Sequence, residues 1–118
     1  MRFENLGVWS RAKNLSVDIY RQTAKLRDYG FRDQITRSGL SISSNIAEGY
    51  DRGHRKEYVQ FLYIARGSCS ELETLLSLSR DLGYITTENF EKLYTAQDET
   101  ARLLRRLITS LSVLGERS

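Results

Sequence analysis

Ser41-Ile42-Ser43-Ser44-Asn45-Ile46-Ala47-Glu48-Gly49 stands where a buried helix should run, yet small and polar residues fill it. Ile42 and Ile46, one turn apart, are its sparse apolar positions. Burying Asn45 or Glu48 without a partner would be costly. The run therefore marks either close helix packing around an internal polar network or a functional surface.

Outward from this run, helical periodicity accounts for most of the chain. The second helix is predicted over about 31–50, with Phe31, Ile35, Ile42 and Ile46 on its inner face. Gly39 lies inside it at a propensity cost of about 1 kcal/mol, which points to another backbone coming close there. The first helix is predicted over about 6–26, where Val8, Ala12, Leu15, Ile19, Thr23 and Leu26 recur at steps of three and four. Asn5 is placed to cap it, and residues 27–30 read as a turn with Gly30 free for positive φ. The third helix is predicted over about 54–82. Its wide apolar face runs from Phe61 and Leu62 through Cys69 and Leu76 to Leu82, with Val59 and Tyr63 as a flanking patch. A face that wide implies contact with another subunit. Gly83 is expected to end this helix, and Ile85 and Phe90 are spaced as a hydrophobic staple around a Thr86 cap. The fourth helix is predicted over about 86–114, with Leu104, Leu107, Leu111 and Leu114 on its inner stripe and an Asp98–Arg102 pair one turn apart. No stretch alternates with period two for long enough to make a strand. Four helices with three short connections predict an all-α, antiparallel up-down-up-down four-helix bundle, one domain over 1–118.

Composition agrees. The 118 residues include no proline, which suits a chain that is nearly all helix. Hydrophobic residues make up 40% and charged residues 28%, ordinary values for a soluble domain. One cysteine excludes an intrachain disulfide and favours a reducing compartment. The first five residues hold no apolar core for a signal peptide, and uncharged runs reach about ten residues, half a membrane span. A cytoplasmic protein with no membrane partner is expected. The formal charge is +3, and residues 1–37 carry its excess, with eight Lys/Arg against four Asp/Glu.

Catalytic and metal chemistry find little support. A di-metal carboxylate site in a bundle needs Glu-x-x-His on two helices, and His54 is the one histidine. Cys69 falls on an apolar stripe, where a thiol behaves as a small hydrophobe. Gly49 and Gly53 lack the flanking pattern of a phosphate loop. No cofactor, no metal and no enzymatic activity are expected. The polar cluster is the stronger candidate. Asn45 and Glu48 share a turn of the second helix, and Ser68 and Glu71 share a face of the third. Antiparallel packing would bring the four together, either as a network that fixes register or as a ligand pocket or assembly switch. Basic residues form loose groups: Arg11, Arg21 and Lys25; Arg52, Arg55 and Lys56 beside His54; and Arg102, Arg105 and Arg106. Phosphate binding needs only such charges in a row.

Read together, Ser41-Ile42, Ser44 to Gly49, Arg52, Lys56-Glu57-Tyr58, Phe61-Leu62, Ala65, Gly67-Ser68, Glu71 to Thr74 and Leu82 to Ile85 resemble the 23S rRNA-intervening-sequence protein family. Leu6, Val8-Trp9, Ala12 and Ile19-Tyr20 are similar to that family's opening helix. The resemblance covers nearly the whole chain. It implies a small bacterial cytoplasmic bundle that forms a homo-oligomer, a ring of five. The family looks related to the accessory protein of diversity-generating retroelements, a basic ring that engages nucleic acid and a reverse transcriptase. Two departures stand out: Ser43 replaces the family's usual proline, and His54 replaces a serine three residues before Glu57. The second replacement weakens a capping box, so the cap is expected to move to Asp51 or Gly53 or be lost.

These readings give a non-enzymatic oligomeric bundle that binds RNA or DNA through Arg11, Arg21, Lys25, Arg52, Arg55 and Lys56. Asn45, Glu48, Ser68 and Glu71 are expected as its structural polar network. The alternative is a scaffold that docks a protein partner and binds no nucleic acid. A third reading, an enzyme using Glu48 and Glu71, requires a closed pocket around that pair.

Overall fold

The computed structural model describes residues 6–117, with side chains through Leu114. Four helices follow one another: α1 (Gly7–Thr23), α2 (Tyr29–Asp51), α3 (Arg55–Asp81) and α4 (Thr87–Arg117). Side-chain contacts fix their directions. Arg32 bonds Ala24 and Gly39 meets Ile19; Ser41 bonds Ser68 and Gly49 meets Phe61; Arg80 covers Phe90 and Glu73 bonds Tyr94; Gln22 bonds Asn89 and Arg11 bonds Glu99. In every pair one number rises as the other falls, so neighbouring helices run antiparallel. Around the bundle, α1 touches α2 and α4, and α3 touches the same two. Up-down-up-down is the resulting order, in a body 50 × 21 × 19 Å.

The helix ends are set by local chemistry, and some differ from the sequence reading. α1 stops at Thr23, three residues early. Asn5, expected as its cap, lies outside the described residues. α2 begins at Tyr29, because the Asp28 carboxylate accepts the Phe31 N–H at 3.1 Å and caps the helix. Gly30 is therefore a helical residue without positive φ, not part of a turn. α3 ends as expected: Gly83 takes φ +73°, its N–H reaches the Arg80 carbonyl, and the Tyr84 N–H reaches Ser79. Thr86 caps α4 by accepting the Asn89 N–H at 3.1 Å, with Ile85 and Phe90 buried on either side. His54 holds the cap position of α3 with no side-chain hydrogen bond, so that cap is lost, not moved.

The core comes from the predicted stripes. Leu15, Ile19, Ile35, Ile42, Leu72 and Leu104 are among its fully enclosed side chains. Two residues assigned to inner faces emerge instead: Leu82 is 55% exposed at the end of α3, and Leu114 is 52% exposed near the end of α4.

The two ends of the bundle differ. At the upper end, the α1–α2 and α3–α4 turns are fastened to each other. The Tyr84 hydroxyl donates to Asp28 at 2.8 Å, and its ring meets Phe31 edge-on at 5.3 Å. At the lower end, α4 overhangs. The Arg11–Glu99 bond sets Gly7 level with about residue 103, one turn of α1 away. Beyond that level α4 has lost α1 as a neighbour and never touches α2, so its last turns lie against α3 alone among the described residues.

Candidate functional site

The seryl face of α2 meets α3 at Ser68, and the bond directions there follow from donor chemistry. An amide nitrogen can only donate, and Asn45 gives Nδ2–H bonds to the Ser41 carbonyl at 2.8 Å and the Ser41 hydroxyl at 2.9 Å. The Ser41 hydroxyl lies 2.8 Å from that of Ser68, which lies 3.2 Å from the Ile64 carbonyl. A carbonyl can only accept. The chain therefore runs one way: Asn45 to Ser41, Ser41 to Ser68, Ser68 to Ile64. Ser38 adds a second bond to α3, donating to the Ser68 carbonyl at 3.2 Å.

Two members of the expected network stand outside it. Glu48 is exposed and binds Arg52 through Nε at 3.2 Å and Nη2 at 2.8 Å. Glu71 is exposed on α3. Helix geometry explains both: a step of four residues keeps a side chain closer to the same face than a step of three. From Asn45 that step leads to Gly49, and from Ser68 to Leu72, both buried. Gly49 is a contact the sequence reading missed. A Cβ there would lie 2.6 Å from Phe61 Cβ and 3.2 Å from the Tyr58 carbonyl. At Gly39, by contrast, the closest group is the Ile19 side chain at 2.8 Å, with the Ser16 backbone at 3.8 Å. Gly49, more than Gly39, is where a backbone comes close.

Cys69 is buried, and desolvation pushes its thiol up to about 12. Such a thiol stays protonated and inert at neutral pH. Beside Gly49, the Tyr58 hydroxyl is enclosed with no hydrogen-bond partner among the described residues, and burial raises its pKa. No group of three or more His, Cys, Asp or Glu among the described residues is placed to hold a metal. No described helix is long and apolar enough to cross a membrane.

The structure does not gather the six basic candidates. Arg11 is tied to Glu99 at 2.9 Å and Arg52 to Glu48. Arg52 also covers the Phe61 ring at 5.2 Å. Arg21 and Lys25 stand toward the upper end of α1, and Arg52, Arg55 and Lys56 cluster at the α2–α3 corner, most of the length of α2 away. The third group divides too. Arg102 and Arg106 line a shallow groove of about 200 Å³ with Arg11 and Glu99, whereas Arg105 lines another with Arg66 and Glu73. Arg102 is held by Asp98 at 2.9 Å, the pair read from sequence. A mostly apolar groove of about 430 Å³ lies between α3 and the overhang of α4, lined by Val59, Tyr63 and Leu111 with Arg55 and Lys56 at its rim.

Comparison with known proteins finds one family model, described as 23S rRNA-intervening sequence protein, that matches residues 4–106. No curated protein matches the chain. Among solved structures, a protein of unknown function from the S23 ribosomal protein family of Bacteroides thetaiotaomicron VPI-5482, determined at 1.70 Å, superposes with a TM-score of 0.80. It is 30% identical, and the match covers 86% of this chain and 97% of that one.

Proposed function

This chain belongs to the 23S rRNA-intervening sequence protein family, and from that premise we propose a non-enzymatic bundle that associates with copies of itself and binds RNA or DNA. The observation that carries the reading is a surplus of unmatched cations. Arg21, Lys25, Arg37, Lys56 and Arg106 are exposed and make no ion pair among the described residues. Glu48, Asp98 and Glu99 are already engaged by other arginines. Unmatched cations on a rigid scaffold attract a polyanion by releasing its counterions. The family description refers to 23S rRNA, and that of the Bacteroides neighbour to a ribosomal protein family. Ribosomal RNA is therefore the first probe.

The proposal is preferred to an enzyme that uses Glu48 and Glu71 because Glu48 is bound to Arg52 and Glu71 stands on the surface. Self-association draws support from the α3–α4 overhang, where Tyr63 is 48% and Leu114 52% exposed. A second copy would cover these side chains.

Size-exclusion chromatography with light scattering, alone and with RNA at about 50 mM salt, tests both parts. The expected mass is a multiple of 13.7 kDa that rises with RNA and reverts in higher salt. A monomer would remove the assembly. Refusal of both RNA and DNA at that salt would remove the nucleic-acid reading. A protein partner retained through nuclease treatment would then make the bundle a docking scaffold.

A further inference from the structure

The charge excess of residues 1–37 is concentrated in the second half of that stretch. Residues 20–37 hold five Lys/Arg and two Asp, so this one segment equals the +3 of the entire chain. Of its two acids, Asp28 is occupied: its oxygens accept from the Phe31 N–H and the Tyr84 hydroxyl. The segment folds around a recess of about 450 Å³ between α1 and α2, lined by Tyr20, Thr23, Ala24, Arg32, Asp33, Thr36 and Arg37. Both threonine hydroxyls are consumed internally, Thr23 by the Ile19 carbonyl and Thr36 by those of Arg32 and Asp33. Arg32 is steadied by one long bond to the Ala24 carbonyl, at 3.4 Å, and by the Tyr29 ring at 4.9 Å. The remaining N–H groups of Arg32, the Arg37 guanidinium, the Tyr20 ring and the Asp33 carboxylate are left to meet a ligand. Tyr20 is 49% exposed and Tyr29 62%. Neither ring is needed to fill the core.

Exposed aromatic rings interleaved with arginines beside a narrow recess are what single-stranded nucleic acid requires: a face for an unstacked base and cations for its phosphates. A duplex offers its phosphates on a broad cylinder and keeps its bases stacked, so it gains nothing from a recess of this size. We propose that the α1–α2 recess is a single-strand nucleic-acid site, in which Tyr20 stacks on a base and Arg32 and Arg37 hold the flanking phosphates. Asp33 disfavours phosphate on its own side and so gives the strand an orientation. This assignment rests on the nucleic-acid reading above, but it moves the contact away from Arg52, Arg55 and Lys56. It also leaves the α3–α4 overhang, on the opposite side of the bundle, free for a second copy.

Fluorescence anisotropy with an end-labelled single-stranded RNA, the matching single-stranded DNA and the RNA duplex, at about 50 and 200 mM salt, tests it. The single strands should bind more tightly than the duplex. Tyr20→Ala should weaken single-strand binding by about fivefold or more, the lower end of one stacked base, and Tyr20→Phe should restore it. Arg37→Ala should weaken binding and lower the salt slope by about 0.7, one phosphate contact on a single strand. Lys92→Ala, which removes an exposed cation already paired with Glu88, should change little. Circular dichroism checks that each variant remains folded. If the parent binds nucleic acid but Tyr20→Ala and Arg37→Ala bind within about twofold of it, or if the duplex binds as well as the strand, the recess is not the site and the broader reading survives. If the parent binds no nucleic acid, both fall.

Discussion

At Gly49 the space for a side chain is already taken. The nearest atoms belong to the Phe61 Cβ and the Tyr58 backbone, neither of which can swing aside as the tip of a long side chain could. Gly49→Ala should therefore destabilise the fold by about 1–3 kcal/mol, seen as a lower midpoint in urea with unchanged slope. A neutral substitution would mean that α3 can retreat from α2 without loss. Asn45 and Ser68 were legible in the sequence as polar residues needing partners, because a helix interior cannot leave them bare. Glu48 and Glu71 were misassigned with them. The cause was a choice between steps of three and four along a helix, which spacing alone leaves open until the neighbouring helix occupies one side. Ser41 supplied the missing link, and a serine gives little signal of its own because it bonds equally well to its own helix.

Helix boundaries show where sequence chemistry was decisive. The Gly83 ending and the Thr86 start were readable because each rests on a local requirement, positive φ in one case and an oxygen one turn ahead of a free N–H in the other. The α2 start was misread because Gly30 drew the turn toward itself, while Asp28 two residues earlier held the stronger cap. Two outcomes follow for these elements. His54→Ser recreates Ser-x-x-Glu with Glu57 and should stabilise the protein by about 1 kcal/mol, measured by thermal or urea unfolding. No gain would mean that Glu57 is better used near Arg52, 3.9 Å away. The second concerns pH. The Tyr84 hydroxyl first, and the Phe31 N–H second, hold the Asp28 carboxyl below its ordinary 3.8. A depressed folded-state pKa adds stability above the unfolded value and loses it as pH falls through the folded one. Tyr84→Phe should raise the Asp28 pKa in an NMR titration and make the acid limb of stability less steep. An unchanged titration would show that the Phe31 N–H suffices.

For the whole molecule, fold and family were readable because a four-helix order depends on stripes and short turns, and both are local patterns. The distribution of function over the surface was not. Arg105 and Arg106, adjacent in sequence, line different grooves, and the recess between α1 and α2 appears only when Tyr20 and Arg37, seventeen positions apart, are brought onto one flank. The difference between the bundle's two ends also has a dynamic consequence. Where a helix has several neighbours, its amides open only when much of the fold does; where it has one, they open alone. Amide exchange in isolated subunits should thus be slow along α4 up to about residue 103 and fast beyond it, with no matching gradient at the fastened upper end. Uniform protection along α4 in a monomer would contradict this. In an assembly, the same amides act as a built-in reporter. If copies meet through the overhang, exchange there slows as concentration rises, and occupation of the distant recess leaves it unaltered.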